Sequence, residues 1–353
     1  MRISILAPSD IDDKRGTMRR ITAALIASAL LFPITGCSSQ AQPDITTRDV
    51  LGTAVTITAY AANTTDSSKA TGRAFAAMSA VERELSPYDT SSTIAAFNRA
   101  PLSSHPLPPD ALAIVARVKA LGVEAQFSPA LFGVTALYDF GGVGTVPSDS
   151  TLRSAIDAAR TFRTAPDGTA AFGSGQTTGT PGLDFGGASK GLALDRAAIA
   201  LAGRPVLLTA GSSTLAFGAK PDGEPWRVGI EDPREVGRVL EVVSSAATLS
   251  VSTSGDYQTY FEHDGVRYHH ILDPLTGRPA RGLRSLTVFG TMSALDADIL
   301  STALFVMGRQ KAIAYAGEHH VGIFLVDDTG ATYKYVPAGY SVKASAEAGP
   351  PRP

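Results

Sequence analysis

The sequence predicts an α+β fold, with mixed or antiparallel sheets and flanking helices. Three observations carry this expectation. The chain has 353 residues, 44% hydrophobic and 18% charged, which is apolar enough for a sizeable core and too weakly charged for disorder. Segments of period near two and segments of helical period both occur, but they do not alternate as βαβ units would. From Pro205 onward short strand-like runs dominate. No linker, charge block or internal repeat divides the chain, so one domain is expected over residues 46–337.

The elements follow in order. Val50–Ala61 alternates with a period near two and reads as a strand. Ser67–Leu85 carries Phe75, Met78, Val81 and Leu85 at helical spacing and stops at Ser86-Pro87. Asp110–Leu121 is a second amphipathic helix, closed by Gly122. Thr164–Gly182, rich in Gly, Thr and Ala, reads as a hairpin or loop. Ala188–Leu201 is a helix opened by a glycine turn. Strands are expected at Val206–Leu208, Trp226–Ile230, Ala247–Ser252, Leu286–Phe289, His320–Asp327 and Thr332–Tyr335, with a helix at Asp296–Met307. Residues 338–353 read as a disordered tail.

The single cysteine excludes an internal disulfide and any multi-cysteine metal site. It closes Ile34-Thr35-Gly36-Cys37, after a mostly apolar run, Ile21–Ile34, headed by Arg19 and Arg20. That run is shorter than the about 20 residues of a transmembrane helix. Its order of basic, apolar and small residues is that of an export signal. Residues 1–36 are therefore expected to be a signal peptide and residues 37–45 a tether lipidated at Cys37, the aliphatic-small-Gly-Cys order being that of a bacterial lipobox. The alternative, a buried structural cysteine, fits poorly at the end of such a run. Asp10, Asp12 and Asp13 suit a signal's basic start poorly, which points to Met18 as the true start. The expected location is exported, anchored to the membrane and facing the periplasm or cell exterior. A net charge of −2 without a basic stripe argues against nucleic-acid binding.

Four stretches can carry chemistry. In Leu183–Asp195 (LDFGGASKGLALD), an acidic residue, a Gly-Gly turn and Lys190 precede a helix. Backbone amides of such a turn approach anions, and Lys190 adds a point charge suited to phosphate. Tyr268–Pro279 (YHHILDPLTGRP) sets one of two histidines at a strand end beside a rigid Asp-Pro-x-Thr-Gly turn, a placement suited to a general base. A zinc site is disfavoured there, because no third and fourth soft ligand is evident. Asp298 and Thr302 lie four apart, so on a helix both oxygens share a face and suit Mg²⁺, although such a pair is more often a capped or solvated face. Ser252–Tyr257 is a polar turn that either cradles a ligand or connects strands. His319-His320 borders an apolar strand and reads as structural.

These stretches, in this order, resemble the ApbE family of FAD:protein FMN transferases. The resemblance begins at Gly52-Thr53 and runs through Leu85–Asp89, Ser92–Asn98 and Phe127–Pro129 to Phe140-Gly141. Asp184–Asp195, Ser252–Tyr257, His270–Gly277 and Ala297-Asp298 to Gly308 are its most specific parts. It implies an ApbE-like fold and a Mg²⁺-dependent enzyme that cleaves FAD, joins FMN through a phosphoester to a Thr or Ser of an acceptor protein, and releases AMP. It implies His270 as the residue that activates the acceptor hydroxyl. Asp298, Thr302 and a backbone carbonyl near Gly187 would be the metal ligands. Leu51, Tyr88, Phe127, Asp184, Lys190, Ser254 and Leu272 would contact FAD. The acceptor would be a membrane redox subunit or an exported flavoprotein with a Thr/Ser motif.

The chain departs from the family pattern at Ser128 and Ala130, where Asp and Thr are usual, and at Ser212-Ser213, where Gly-Asp or Gly-Asn is usual; Leu51 replaces a frequent methionine. A decayed homologue would have lost the metal helix, the lysine turn and the His-Ile-x-Asp-Pro motif first, and all three are intact. Two alternatives stay open from the residues: an FAD-binding lipoprotein without catalysis, and an FAD pyrophosphatase that gives FMN and AMP.

Overall fold

The computed structural model describes residues 43–60, 64–174 and 180–345. The signal segment, Met18 and Cys37 lie outside the described residues. In chain order the elements are β1 (Pro43–Val50), β2 (Thr53–Tyr60), α1 (Thr64–Leu85), α2 (Thr93–Arg99), β3 (His105–Pro106), α3 (Pro109–Ala120), α4 (Phe132–Ala136), α5 (Asp149–Ala159), β4 (Arg163–Thr164), β5 (Thr169–Ala171) and α6 (Gly186–Ala200). Then come β6 (Val206–Ala210), β7 (Ser213–Phe217), β8 (Trp226–Glu231), β9 (Val239–Ser245), β10 (Leu249–Gly255), β11 (Tyr260–His263), β12 (Val266–His269), β13 (Leu283–Gly290), α7 (Ala294–His319), β14 (Gly322–Asp327), β15 (Thr332–Tyr335) and β16 (Ser341–Ala344).

An eight-stranded sheet in the order β1-β2-β6-β7-β10-β13-β14-β15 forms the frame, and every neighbouring pair is antiparallel. Side chains of successive strand residues point to opposite faces, and β14 shows the consequence. Ile323 and Leu325 join the helical core on one face, while Phe324 and Val326 join a second core on the other. That second core is covered by the small sheet β16-β9-β8, with Trp226, Ile230 and Val243 at its centre. On the helical face, α6 packs against both α1 and α7. Helix α7 is buried on nearly every side from Ala294 to Phe305, as a helix at the middle of a layered protein must be. A smaller cluster of Val134, Tyr138, Leu152, Ile156 and Leu272 joins α4 and α5 to the segment after β12.

The observed class is the predicted one, α+β with antiparallel sheets and flanking helices. Several boundaries differ. The single strand expected at Val50–Ala61 is the second arm of a hairpin, because Leu51 and Gly52 turn the chain with φ of 59° and 67°. Its first arm starts at Pro43, so residues 43–45 are paired strand and not tether. Ser341–Ala344 pairs with β9, so the segment expected as tail from 338 is ordered through that strand. Thr164 belongs to a short hairpin with Thr169–Ala171, which supports the hairpin reading of that stretch. Helix α7 runs past the expected end at Met307, but Gly308 breaks it with φ 74° and ψ 171°, so the first helical piece ends where the sequence predicts. His320 caps the helix in the left-handed conformation and meets the Tyr335 hydroxyl at 3.3 Å, a structural role. Among the described residues no helix is long and apolar enough to cross a membrane.

Candidate active site

A cleft of about 610 Å³ opens between the 126–141 segment and the wall made by α6, β10, α7 and the residues after β12. Tyr88, Phe127, Asp184, Gly187, Lys190, Ser254, His270, Leu272, Asp298 and Thr302 all line it, although they are spread across more than two hundred residues of sequence. Leu51 does not. It sits at the β1–β2 turn and packs against the main core. Ser128 and Ser212, two of the departures from the family pattern, are on the cleft wall.

The convergence depends on how closely α6 and α7 approach. A Cβ on Gly191 would lie 2.2 Å from the Ala294 carbonyl oxygen and 2.8 Å from Asp298 Cβ, so only glycine lets the helices meet there. Asp195, one turn further along α6, accepts the Ala294 and Leu295 amides at 2.9 Å each and so caps α7 from outside it. Ser293 adds the local cap, accepting from the Asp296 amide. Arg117 of α3 holds Asp296 with two short bonds. The start of α7 is thereby fixed against α6 and α3, and Asp298 with it.

Asp298 is 3% exposed, and its carboxylate is well supplied with donors. Oδ1 accepts the Ser213 hydroxyl at 3.1 Å and the Ser252 hydroxyl at 3.0 Å, and Oδ2 accepts the Gly191 amide at 2.9 Å. In a regular helix that amide belongs to the Gly187 carbonyl, so the carboxylate competes with Gly187 for it. The Lys190 ammonium lies 3.7 Å from Oδ1 and 3.4 Å from the Gly186 carbonyl oxygen. Thr302 Oγ1 meets Ser254 Oγ at 3.2 Å, and Ser254 Oγ meets Ser301 Oγ at 3.0 Å. The Ser252–Tyr257 stretch is thus strand as far as Gly255, and its alternate hydroxyls serve α7. A Cβ on Gly187 would come within 3.4 Å of Thr302 Oγ1 and 2.9 Å of Phe127 Cε2, which leaves the backbone itself as the surface presented there.

Ahead of α6 on the cleft lining, Asp184 accepts the Gly186 amide at 2.8 Å and faces the Tyr88 hydroxyl at 3.4 Å. Burial raises the Asp184 pKa against the pull of these donors and of Lys190. Burial, and then Asp184, raise that of Tyr88. The tyrosine ring leans on Phe132 at 6.2 Å between centroids. His270 follows β12 directly, and its Nδ1 is 3.2 Å from the Thr259 carbonyl oxygen. A carbonyl only accepts, so Nδ1 carries the proton and Nε2 keeps its lone pair. Burial, then the neighbouring His269, lowers the His270 pKa to about 4, so the ring is neutral near pH 7. Of the histidine pair, His269 turns the other way. It is 2% exposed, bonds the Ala280 carbonyl at 2.8 Å and packs edge-on against Phe305.

The donors around Asp298 are a carboxylate, hydroxyls and a backbone carbonyl. Among the described residues no group of three or more His, Cys, Asp or Glu forms a metal cluster. Such a set fits a hard ion that keeps several waters and takes phosphate oxygens, as Mg²⁺ does, and does not fit zinc. The sequence marks Ser213 only as a departure from the family pattern and Gly191 and Asp195 only as members of the lysine-turn stretch, because their roles appear only when three distant segments meet. The spacing of Gly191 and Asp195 within the lysine turn was the available signal.

Fold and cleft define an α+β protein whose polar chemistry converges on one lysine-tipped, oxygen-rich site beside a neutral histidine. The chain belongs to the ApbE family, whose family model matches residues 51–325. It is similar to the FAD:protein FMN transferase of Vibrio cholerae, with 40% identity over 118 residues, 33% of this chain and 35% of that protein. The enzyme of the same name from Rhodobacter capsulatus is 34% identical over 218 residues, 60% of this chain and 40% of that protein. The matched stretches thus span between about a third and two fifths of these relatives' length. Solved structures are matched more fully. The ApbE protein of Thermotoga maritima superposes with a TM-score of 0.74 at 29% identity, covering 83% of this chain and 97% of that one. The flavinyl transferase ApbE of Pseudomonas stutzeri superposes with a TM-score of 0.70 at 29% identity, covering 87% and 96%.

Proposed function

We propose that the protein is an FAD:protein FMN transferase: it cleaves the FAD diphosphate, joins FMN through a phosphoester to a Thr or Ser hydroxyl of an acceptor protein, and releases AMP. The observation that carries this reading is a single cleft holding a lysine, a donor-rich aspartate and a neutral histidine, in a chain of a family whose named members are FMN transferases. Attack at phosphorus needs charge neutralisation and positioning more than covalent help from the protein. Lys190 supplies a positive charge for the diphosphate. Asp298, Thr302 and the Gly187 carbonyl would hold Mg²⁺, which when bound polarises the phosphoryl oxygens and eases departure of AMP. His270, with its Nε2 lone pair free, accepts the proton of the acceptor hydroxyl. An anionic diphosphate beside the ring would favour its protonated form and so raise its pKa from about 4 toward the range of an effective base. Tyr88, Phe127, Phe132 and Phe140 offer aromatic surface for the flat rings of FAD.

Export and lipid attachment at Cys37 complete the proposal, resting on the sequence around that residue. A tethered enzyme of this kind would flavinylate membrane redox subunits or exported flavoproteins. The test is incubation of the purified protein with FAD, Mg²⁺ and an acceptor, followed by in-gel flavin fluorescence and AMP quantitation. A fluorescent acceptor with AMP release supports transfer. AMP without labelling would make the protein a pyrophosphatase, and bound FAD without either product would make it a carrier.

A further inference from the structure

We infer that Lys190 is a displaceable counter-ion that holds Asp298 against a divalent cation until an anionic diphosphate draws the ammonium away, so that diphosphate binding loads the metal. The inference rests on the metal assignment proposed above and adds an order and a coupling to it. Three observations carry it. Asp298 is nearly inaccessible, and the lysine is the cation that pairs with it. The pairing is loose: 3.7 Å to Oδ1 exceeds hydrogen-bond distance, and 3.4 Å to the Gly186 carbonyl is long for one. Oδ1 already accepts two hydroxyls, those of Ser213 and Ser252, which matches its two lone pairs and leaves the ammonium no directed bond to that oxygen.

The ammonium is therefore held to Asp298 by charge and not by a directed bond, and its one recorded bond, to the Gly186 carbonyl, is long. Its flexible four-carbon stem lets it swing into the cleft, and its side chain is 24% exposed. It also lies beside the oxygens a metal would use, Asp298 and the carbonyls at the start of α6. A divalent cation entering there meets a unit positive charge a few ångströms away. A diphosphate removes that opposition by offering the ammonium stronger anionic oxygens. Linkage makes the effect reciprocal, so the metal in turn tightens diphosphate binding.

A counter-ion and a residue that merely supports the site would shift metal affinity in opposite directions when removed. Lys190→Met should bind Mn²⁺ more tightly than the unaltered protein when no diphosphate is present, on the order of tenfold, the effect a unit charge exerts at this range. The same variant should bind inorganic pyrophosphate more weakly, and pyrophosphate should tighten its Mn²⁺ binding less than it does in the unaltered protein. Lys190→Arg, which keeps the charge, should behave like the unaltered protein. The measurement is Mn²⁺ titration of the full chain by electron paramagnetic resonance, with and without pyrophosphate, and with thermal unfolding to verify the fold. Unchanged or weaker Mn²⁺ binding by folded Lys190→Met, while Asp298→Asn abolishes it, would overturn the counter-ion role alone. Mn²⁺ binding untouched by Asp298→Asn would overturn the metal assignment and this inference with it.

Discussion

Replacing Gly191 with alanine should be among the most damaging single-methyl changes in the protein. The added Cβ would fall 2.2 Å from the Ala294 oxygen, 2.6 Å from its carbonyl carbon and 2.8 Å from Asp298 Cβ, and real Cβ contacts essentially never fall under 3.0 Å. Two of these obstacles are backbone, so α7 must move away from α6 by roughly 1 Å to restore van der Waals contact. Overpacking of this kind costs about 1–3 kcal/mol. The shift also strains the Gly191 amide bond to the Asp298 carboxylate, and a hydrogen bond to a charged group contributes about 1.5–3 kcal/mol. Against these stands the better helix propensity of alanine, worth about 1 kcal/mol. The net expectation is a loss of about 1.5–5 kcal/mol. Urea unfolding followed by circular dichroism measures it. Gly72→Ala is the control: that glycine is also helical, in α1, and nothing lies within 4 Å of its added Cβ. It should stabilise the protein by about 0.5–1 kcal/mol. A Gly191→Ala variant as stable as the unaltered protein would refute the claim that helix contact at this glycine sets the site.

Other expectations concern the same centre. Removing both hydroxyls that bond Asp298 Oδ1, by Ser213→Ala with Ser252→Ala, should weaken Mn²⁺ binding about 10–100-fold, the usual cost of losing partners of a metal ligand; an unchanged titration would contradict their role. His270→Ala should keep FAD binding, measured by flavin fluorescence quenching, and lose acceptor labelling; normal labelling would remove its assignment as base. Protonation is the third. His269 and His270 have pKa values lowered from 6.5 to about 4, chiefly by burial, so between these values the unfolded chain binds more protons than the folded one. Their contribution to stability is complete above pH 6.5 and is lost as pH falls toward 4. Asp184 and Asp195, raised by burial, act in the opposite sense. The clean reading is therefore the difference between the unaltered protein and His269→Gln in urea midpoints from pH 7.5 to 5: the variant should lose less stability on acidification, and equal slopes would refute the assignment.

Much of the cleft was legible in the sequence, because its chemistry sits in compact motifs. Asp298 and Thr302 share a helix face by periodicity alone, and the glycine turn before Lys190 announces a helix start beside a cation. What was not legible required tertiary contact. Ser213 stands out in the sequence only as a departure from the family's Gly-Asp or Gly-Asn turn, yet antiparallel pairing of β7 with β10 places it opposite Ser252 and both beside Asp298. The serines of β10 looked like a turn because small polar residues dominate there; burial between the sheet and α7 overrides that local preference. Pro43–Val50 lacks strong alternation and becomes strand by pairing with β2, and Ser341–Ala344 does so by pairing with β9. Leu51 is the motif position that does not join the cleft lining: it sits in the β1–β2 turn and packs against the main core.

Cleavage of FAD and transfer of FMN are proposed to occur together at this site. Time-resolved quantitation of AMP and of acceptor-bound flavin in one reaction, with the acceptor digested and its modified residue identified by mass spectrometry, tests it most directly. Coupled cleavage and transfer gives one AMP per flavin attached, with FMN on a Thr or Ser oxygen and both products lost in Asp298→Ala. AMP accumulating without acceptor-bound FMN, or labelling that survives loss of Asp298, would contradict it.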